Sequence, residues 1–212
     1  MMNNLQEAAL LKEGKLLPVM EEFYSLQGEG HNTGKAAYFL RIGGCDVGCS
    51  WCDVKESWNA ELHPLVSIDK ILNNVLNCPA KAVVVTGGEP LQYNLDYLCS
   101  ILKDNNIQTF LETSGAYELS GKWDWICLSP KKKVPPLNEI NQKANELKVI
   151  IHDKLDFEWA EENANKVTAD TILLLQPEWS MRKEMMPLIV DYILKHPVWN
   201  ISLQSHKYMN IP

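Results

Sequence analysis

Alternation between helix-type and strand-type patterns constrains the fold of this chain more than any other feature of its sequence. After Ser67, a residue that favours the position before a helix, apolar side chains recur at the spacing of one helix face. The next apolar run, residues 82–86, is rich in valine and stops at two glycines, as in a parallel strand buried on both faces. This order predicts an α/β fold with a parallel sheet.

The same alternation continues to the end of the chain. It predicts further helices at residues 91–102, 157–165 and 182–195, and further strands at residues 108–111, 125–128, 147–151, 171–175 and 201–203. Parallel strands of one sheet are joined by right-handed crossovers. Because the sequence has no internal repeat, low-complexity tract or Pro/Gly/Ser-rich linker, residues 1–212 are predicted to form a single domain.

Polar residues follow five of the predicted strands. In parallel α/β folds, ligands bind at the carboxyl ends of the strands, so functional residues should stand directly after them. These positions are taken by residues 86–90, 112–115, 129–131, 176–178 and 204–207. Gly, Pro and Ser occur in any loop, but five polar strand ends on one edge of a sheet predict a shared site.

Charge and hydropathy argue against several classes of protein. The 212 residues include 20 Lys and Arg against 27 Asp and Glu, and a net charge of −7 argues against a general nucleic-acid binder. Nowhere do about 18 apolar residues run together, so no membrane span is predicted. The N-terminus lacks the basic start and the apolar run of a signal peptide, and we expect a cytoplasmic protein.

Three of the six cysteines, Cys45, Cys49 and Cys52, fall within eight residues and are preceded by glycines. Disulfides are a poor explanation in a reducing cytosol, and a structural zinc site needs a fourth ligand that is missing at close spacing. Three thiolates on a short loop fit a [4Fe–4S] cluster with one iron open to an outside ligand. A zinc site completed by a distant His, a redox Cys-x2-Cys pair and three unpaired thiols are the alternatives. The other cysteines are predicted to be packing residues.

Two motifs resemble those of the radical S-adenosylmethionine (SAM) superfamily. The spacing Cys-x3-Cys-x2-Cys, with an aromatic residue before the third cysteine, is similar to the cluster-binding signature of that superfamily. The loop Gly87-Gly88-Glu89-Pro90, which follows a predicted strand, resembles its Gly-Gly-Glu motif. Glycines there let backbone polar groups approach a ligand closely. The resemblance implies that SAM binds the open iron through its amino and carboxylate groups.

The segment Glu22-Phe-Tyr-Ser-Leu-Gln-Gly-Glu-Gly30 narrows the resemblance to one family. It is similar to the opening motif of 7-carboxy-7-deazaguanine synthases, and residues 202–207 resemble the closing segment of those enzymes. The resemblance extends from Glu21 to Pro212. It implies a homodimer with a shortened, partial TIM-like barrel of parallel strands, in agreement with a length below the roughly 250 residues of a full barrel.

The activity implied by this resemblance belongs to queuosine precursor biosynthesis. A 5′-deoxyadenosyl radical abstracts hydrogen from 6-carboxy-5,6,7,8-tetrahydropterin, and ring contraction with release of ammonia yields 7-carboxy-7-deazaguanine. Two other classes remain to be distinguished. An activating enzyme for a glycyl-radical protein shares the cysteine loop but generally lacks the opening motif. A non-enzymatic iron–sulfur or zinc-binding module leaves both Gln27 and the Gly-Gly-Glu loop unexplained.

The resemblance also implies roles for individual residues. It makes Cys45, Cys49 and Cys52 the cluster ligands. The implied SAM-binding residues are Trp51, Cys52, Asp53, Gly88, Ser129, Pro130, Lys131, Gln176, Pro177, Glu178 and Trp179. The implied substrate-binding residues are Leu26, Gln27, Gly28, Arg41, Thr86, His206 and, through its α-carboxylate, Pro212. Arg41 suits a substrate carboxylate, with a surface ion pair as its alternative, and the alternative for Pro212 is a frayed terminus.

One position departs from the family pattern. Many members carry a threonine after the Cys-Asp pair, and its hydroxyl contacts Mg²⁺, whereas this chain has Val54. Because Mg²⁺ demands oxygen ligands, we expect a weaker magnesium dependence than in relatives with threonine. Further along, Lys131-Lys132-Lys133 is either a solvated turn or a docking face for an acidic flavodoxin-like electron donor.

Overall fold

The computed structural model describes residues 4–49, 51–52 and 54–212. Nine strands of these residues form one sheet. The strands are β1 (Leu16–Leu26), β2 (Ala36–Ile42), β3 (Leu65–Ser67), β4 (Ala82–Gly87), β5 (Gln108–Thr113), β6 (Trp125–Leu128), β7 (Glu146–Ile151), β8 (Ile172–Pro177) and β9 (Trp199–Ile201). Their order is β3-β1-β2-β4-β5-β6-β7-β8-β9, with β1 antiparallel to both of its neighbours and all other pairs parallel. Because β3 and β9 are the two edges, the sheet is a partial barrel that does not close.

Helices follow most of the parallel strands and cover the outer face of the sheet. They are α1 (Asn4–Lys12), α2 (Ile68–Leu76), α3 (Asp96–Asp104), α4 (Asn138–Lys143), α5 (Asp156–Ala164), α6 (Arg182–Lys195) and α7 (Ser205–Met209), with short 3-10 helices at Lys55–Trp58, Ala60–Leu62 and Pro90–Gln92. Ser67 begins α2 as predicted, because its hydroxyl accepts the N–H of Lys70 at 3.3 Å. Within the described residues, no helix has the length and apolar character that crossing a bilayer requires.

Strand β4 is buried on both faces, which explains its uninterrupted apolar run. Val83 and Val85 pack in the main core beneath the helices. Ala82 and Val84 point the other way, into a smaller cluster with Phe39 and Phe110 on the inner face. Burying a valine side chain contributes roughly 1.5–3 kcal/mol, so the sequence is apolar wherever both faces are covered.

The predicted elements are confirmed after Ser67, with local differences. Helix α6 has the predicted bounds, whereas the last strand ends at Ile201 instead of Leu203. The helix predicted over residues 91–102 is divided into a 3-10 helix and α3 by a turn at residues 93–95, in which the Asn94 side chain accepts the N–H of Asp96 at 2.9 Å. The elements α1, β1, β2, β3, α4 and α7 were not predicted.

The loop between β1 and β2, residues 27–35, lies against the inner face of the sheet. Gln27 donates to Glu112 near the end of β5, at 2.8 Å. The N–H of His31 donates to Glu146 at the start of β7, also at 2.8 Å, and the His31 ring stacks on Trp125 at the start of β6. The loop therefore passes along the interior of the partial barrel and becomes part of its lining.

Candidate active site

A cavity of about 250 Å³ opens at the carboxyl ends of the parallel strands. Its wall combines the cysteine loop, the β1–β2 loop, the loops after β4, β5, β6 and β8, and the C-terminal segment. Nearly all of the predicted site residues line this cavity. Pro130 is buried but is not part of the lining, and Asp53 lies outside the described residues.

Backbone hydrogen bonds attach the cysteine loop, residues 43–49 and 51–52, to the rest of the sheet. The N–H of Gly43 donates to the carbonyl of Pro18 at 2.8 Å, and the N–H of Gly44 donates to the carbonyl of Ser57 at 2.6 Å. Gly44 has a φ of 103°, a conformation that favours glycine. The free thiols that line the cavity from this loop are those of Cys45, Cys49 and Cys52.

The loop after β4 packs directly on the cysteine loop because Gly88 has no side chain. A Cβ atom at position 88 would lie 2.1 Å from the carbonyl oxygen of Gly44 and 3.1 Å from the Cβ of Cys45. The N–H of Glu89 donates to that same carbonyl at 2.9 Å. A side chain at position 88 would therefore separate the two loops that the sequence motifs bring together.

The carboxylate of Glu89 is buried, with 1% of the residue exposed, and joins the loops after β4 and β5. One oxygen accepts the hydroxyl of Thr113 at 2.5 Å and the N–H of Leu91 at 3.1 Å. The other oxygen accepts the N–H of Ser114 at 2.8 Å and the Ser114 hydroxyl. Because four donors satisfy this carboxylate, Glu89 holds the loops in place.

Burial and one nearby cation act in opposite directions on the thiols of the cysteine loop. Burial raises the pKa of the Cys45 and Cys49 thiols, and the ammonium of Lys131 opposes that effect at Cys49. Two oxygens of Ser129 hold this ammonium at 2.7 Å each, 5.5 Å from the centre of the Trp51 ring. Among the described residues, no three His, Cys, Asp or Glu side chains form a site for a single metal ion.

Side chains from the neighbouring loops also hold the cysteine loop. The carboxylate of Asp46 accepts the hydroxyl of Tyr117 at 2.5 Å and the amide of Gln92 at 2.8 Å. The hydroxyl of Tyr93 donates to the carbonyl of Gly43 at 2.9 Å. The cysteine loop is thus fixed at both its first glycine and its first acidic residue.

Gln27, Thr86 and Glu112 form a hydrogen-bonded group in another part of the wall. One oxygen of Glu112 accepts the Gln27 amide at 2.8 Å, and the other accepts the Thr86 hydroxyl at 3.1 Å. The side-chain carbonyl of Gln27 accepts the N–H of Gly28 at 2.9 Å, which fixes the orientation of the amide. This arrangement presents both donors and acceptors at fixed positions in a cavity wall.

Arg41 lies beside Thr86 in the sheet and lines the cavity. Its guanidinium is 2.9 Å from the carboxylate of Glu21 and lies 5.7 Å from the centre of the Phe23 ring. The ion pair that was the alternative for Arg41 is therefore present, alongside the predicted placement in the cavity. A guanidinium has five N–H donors, so one carboxylate uses only part of its capacity.

The C-terminal segment meets the β1–β2 loop at the cavity. The N–H and the hydroxyl of Ser205 both donate to the carbonyl of Gly28, at 2.8 and 2.9 Å. A Cβ atom at position 28 would lie 2.3 Å from Nδ1 of His206, so this close approach requires glycine. Pro212 is exposed but lines the cavity, and the N–H of Ile211 donates back to the carbonyl of His206 at 3.2 Å.

Trp179 and Glu178 connect the loop after β8 to its neighbours. The guanidinium of Arg182 lies 4.0 Å and the ammonium of Lys207 lies 5.0 Å from the centre of the Trp179 ring. Burial alone would raise the pKa of Glu178, but hydrogen bonds from Ser180 and Met181 lower it. The Glu178 carboxylate thus supports the turn that leads into α6, while the Trp179 ring joins α6 to α7.

Comparison with known proteins places these features in one family. The sequence model of the Radical SAM superfamily matches residues 40–126. The 7-carboxy-7-deazaguanine synthase of Flavobacterium psychrophilum is 58% identical over 95% of this chain and 96% of its own length. This chain belongs to the 7-carboxy-7-deazaguanine synthase family.

Further relatives of the same name support this assignment. The synthase of Synechocystis sp. is 47% identical over 92% of this chain and 93% of its own length, and that of Escherichia coli K12 is 32% identical over 92% and 98%. The crystal structure of QueE from Escherichia coli has a TM-score of 0.83 and 28% identity, and the match covers 96% of this chain and 100% of that one. The predicted partial barrel is confirmed, and the radical SAM superfamily uses a [4Fe–4S] cluster and SAM.

Val54, where the synthase family often has threonine, lines the cavity next to the cysteine loop. Its carbonyl accepts the hydroxyl of Ser57 at 2.7 Å and the N–H of Ser57 at 3.1 Å. The backbone oxygen is therefore already engaged, and the valine side chain adds no oxygen. Position 54 does not offer Mg²⁺ the hydroxyl ligand that threonine would supply.

Four charged residues of this synthase-family cavity received no role from the sequence: Glu29, Glu89, Glu112 and Lys148. Glu29 belongs to the opening motif, and Glu112 follows a predicted strand, so signals for both were present. Lys148 interrupts the apolar run of residues 147–151 in β7, and a lysine in a buried strand is itself a signal of a partner.

Proposed function

We propose that this chain converts 6-carboxy-5,6,7,8-tetrahydropterin to 7-carboxy-7-deazaguanine with release of ammonia. The observation that carries the proposal is a single cavity in which three features meet: the cysteine loop, the Gly88 loop and the group formed by Gln27, Thr86 and Glu112. A cofactor held by the first two features would lie beside a flat, polar ring held by the third. The residues of the cavity wall would then position the substrate against the cofactor, while the cofactors supply the reactivity.

Cys45, Cys49 and Cys52 would hold the [4Fe–4S] cluster, and the backbone around Gly88 would hold SAM. When bound, the cluster and SAM together supply an electron and the abstraction of a hydrogen atom. The remaining SAM-binding residues that we propose are Trp51, Cys52, Asp53, Ser129, Pro130, Lys131, Gln176, Pro177, Glu178 and Trp179. The buried Pro130 shapes the loop after β6, and Glu178 supports the one after β8.

The substrate has a carboxylate and a ring with alternating donors and acceptors. We propose that Arg41 binds the carboxylate through guanidinium donors that Glu21 does not use. Thr86, Gln27 and the backbone of Leu26 and Gly28 would bind the ring edge, with Glu112 fixing the Gln27 amide. The Pro212 α-carboxylate would accept ring N–H groups, with His206 as a second polar contact.

Mg²⁺ is proposed as a weakly bound partner of the substrate. Because the Val54 carbonyl is already engaged by Ser57, the ion would depend on substrate oxygens and water. We therefore expect turnover by this enzyme to depend only weakly on the magnesium concentration.

The partners proposed are a second copy of this chain and an acidic, flavodoxin-like electron donor, in the cytoplasm. Large exposed apolar side chains near β9, among them Leu194 and Val198, support a homodimer. Near the cysteine loop, Lys133 donates to the Gly48 carbonyl at 2.5 Å, so basic charge borders the site that must receive electrons. Lys131 points inward to Ser129 and Lys132 forms an ion pair with Asp156 at 2.5 Å, which leaves Lys133 as the basic residue beside the cysteine loop.

The proposed reaction is tested by anaerobic reconstitution of the cluster, followed by addition of SAM, dithionite and the carboxy-tetrahydropterin. We expect the deazaguanine product and equimolar ammonia by mass spectrometry and an enzymatic ammonia assay. Cys49→Ala should lose both the cluster absorbance and the product. Cys78→Ala, a cysteine outside the loop, serves as the matched control and should retain both. An intact cluster that cleaves SAM without converting the pterin would overturn the proposal.

A further inference from the structure

Lys148 and Glu29 form an ion pair in the cavity wall, and neither residue is among the proposed substrate and cofactor ligands. Lys148 Nζ is 2.5 Å from one carboxylate oxygen of Glu29, and the side chains are 5% and 17% exposed. The other oxygen of Glu29 accepts the amide of Gln204 at 2.8 Å. Glu29 is thus held by β7 on one side and by the C-terminal segment on the other.

We propose that Lys148 and Glu29 are positioning residues that set the affinity for the pterin, by holding the β1–β2 loop and the C-terminal segment in one arrangement. The identity of the ligand rests on the proposed function. The positioning itself rests on contacts of the described residues alone.

The first step of the argument is that Glu29 adjoins the residues that would bind the ring. Gln27 is two positions away, and its side-chain carbonyl accepts the backbone N–H of Gly28. The backbone N–H of Glu29 approaches the same carbonyl at 3.4 Å. A displacement of the Glu29 backbone would therefore move the Gln27 amide away from Glu112.

The second step is that the same pair fixes the C-terminal segment. The Gly28 carbonyl accepts two hydrogen bonds from Ser205, and His206 packs on the Gly28 backbone. Gln204 is joined to the carboxylate of Glu29. Three consecutive residues of the C-terminal segment thus depend on the position of residues 28 and 29.

The third step is electrostatic. Burial alone would raise the pKa of Glu29, but the Lys148 ammonium and hydrogen bonds from Gln176 and Gln204 lower it to about 2. Burial alone would lower the pKa of Lys148, and the carboxylates of Glu29 and Glu112 instead keep it raised. Removing one partner leaves a buried charge uncompensated, which displaces the remaining group toward water. Removing both leaves no such charge.

The test compares Lys148→Met, Glu29→Gln and the double variant as reconstituted holoenzymes. We expect Lys148→Met to raise the KM for the pterin about tenfold or more, with a much smaller change in kcat and none in the KM for SAM. Hydrogen–deuterium exchange should increase together in residues 27–35 and 204–212, but not in the cysteine loop. In the double variant, the KM should return toward that of the unaltered enzyme, because residue 29 keeps an oxygen for Gln204.

Glu161→Ala is the matched control, because Glu161 accepts the Tyr192 hydroxyl at 2.6 Å and the Trp199 ring N–H at 2.8 Å outside the cavity. It should lower the melting temperature without changing the KM for the pterin. If Lys148→Met behaves like this control, the pair is only structural and the proposal is wrong. If Lys148→Met does not fold, Glu29→Gln provides the same measurements.

The two proposals fail in different ways. If the unaltered enzyme does not convert the pterin, the proposed function is wrong. Coupled increases of exchange in the two segments would then still support positioning. If exchange does not increase in both segments, the positioning proposal is wrong even when the unaltered enzyme makes the product.

Discussion

The two sides of the cavity are held in different ways. The cofactor wall, residues 43–49, 51–52 and 87–89, is joined by backbone hydrogen bonds and by glycines that allow close packing. The substrate wall, residues 26–29 with Glu112, Lys148 and residues 204–212, is joined by side chains far apart in sequence. Gln27 and Glu112 are separated by 85 positions, and Glu29 and Gln204 by 175. The glycines that allow close packing stand in short motifs that the sequence shows, whereas the pairing of distant side chains is decided only by folding.

The largest effect that this comparison predicts is for Gly88→Ala in the cofactor wall. The added Cβ would lie 2.1 Å from the Gly44 carbonyl oxygen, which is backbone and cannot rotate away. We expect turnover to fall by at least about a hundredfold, together with cluster content measured by absorbance and iron analysis. Gly34→Asn is the control, since position 34 is open and asparagine tolerates its φ of 86°. Full cluster content in Gly88→Ala would show that the cofactor wall does not depend on close packing at Gly88.

A smaller effect is predicted for Glu112→Ala in the substrate wall. It removes the acceptor of both the Gln27 amide and the Thr86 hydroxyl. A lost partner of this kind costs about 1–3 kcal/mol, so we expect the Kd for the pterin to rise roughly 5- to 150-fold. SAM binding and cluster absorbance should not change. Loss of the cluster in this variant would contradict the separation of the two walls.

A C-terminal extension tests the end of the substrate wall. It converts the α-carboxylate of Pro212 to a neutral amide and adds bulk at a residue that lines the cavity. We expect a raised KM for the pterin, by about tenfold, because a charge-assisted hydrogen bond is lost. An N-terminal tag of the same length is the control. Equal kinetics for the two tagged proteins would show that Pro212 is a frayed terminus.

The smallest effect is predicted where the two walls adjoin, at Val54. Val54→Thr adds a hydroxyl oxygen that Mg²⁺ can bind, so turnover should depend more strongly on magnesium concentration than in the unaltered enzyme. The effect is measured by titrating magnesium after chelation. Complete loss of activity without magnesium in the unaltered enzyme would contradict the weak dependence predicted from Val54.

The fold could be predicted where local patterns agree with tertiary packing. Strand β4 is apolar because both of its faces are covered, and α6 is marked by a long periodic segment. Strand β1 was not predicted. It is defined by antiparallel pairing with β2 and β3, and such pairing leaves no pattern in the sequence of β1 itself. The helix after Pro90 is divided at a turn where the Asn94 side chain accepts a backbone N–H, a local bond that competes with a continuous helix.

The sequence by itself determined the family, the cysteine spacing and the glycines of the cofactor wall, because each is a property of adjacent residues. Only the tertiary structure decided that Arg41 pairs with Glu21 while lining the cavity, that Ser57 engages the Val54 carbonyl, and that Lys148 meets Glu29. A charge in a strand reveals that a partner must exist, since burying it alone is unfavourable. Which distant residue supplies the partner depends on strand order and loop path, and those are set by the packing of the whole chain.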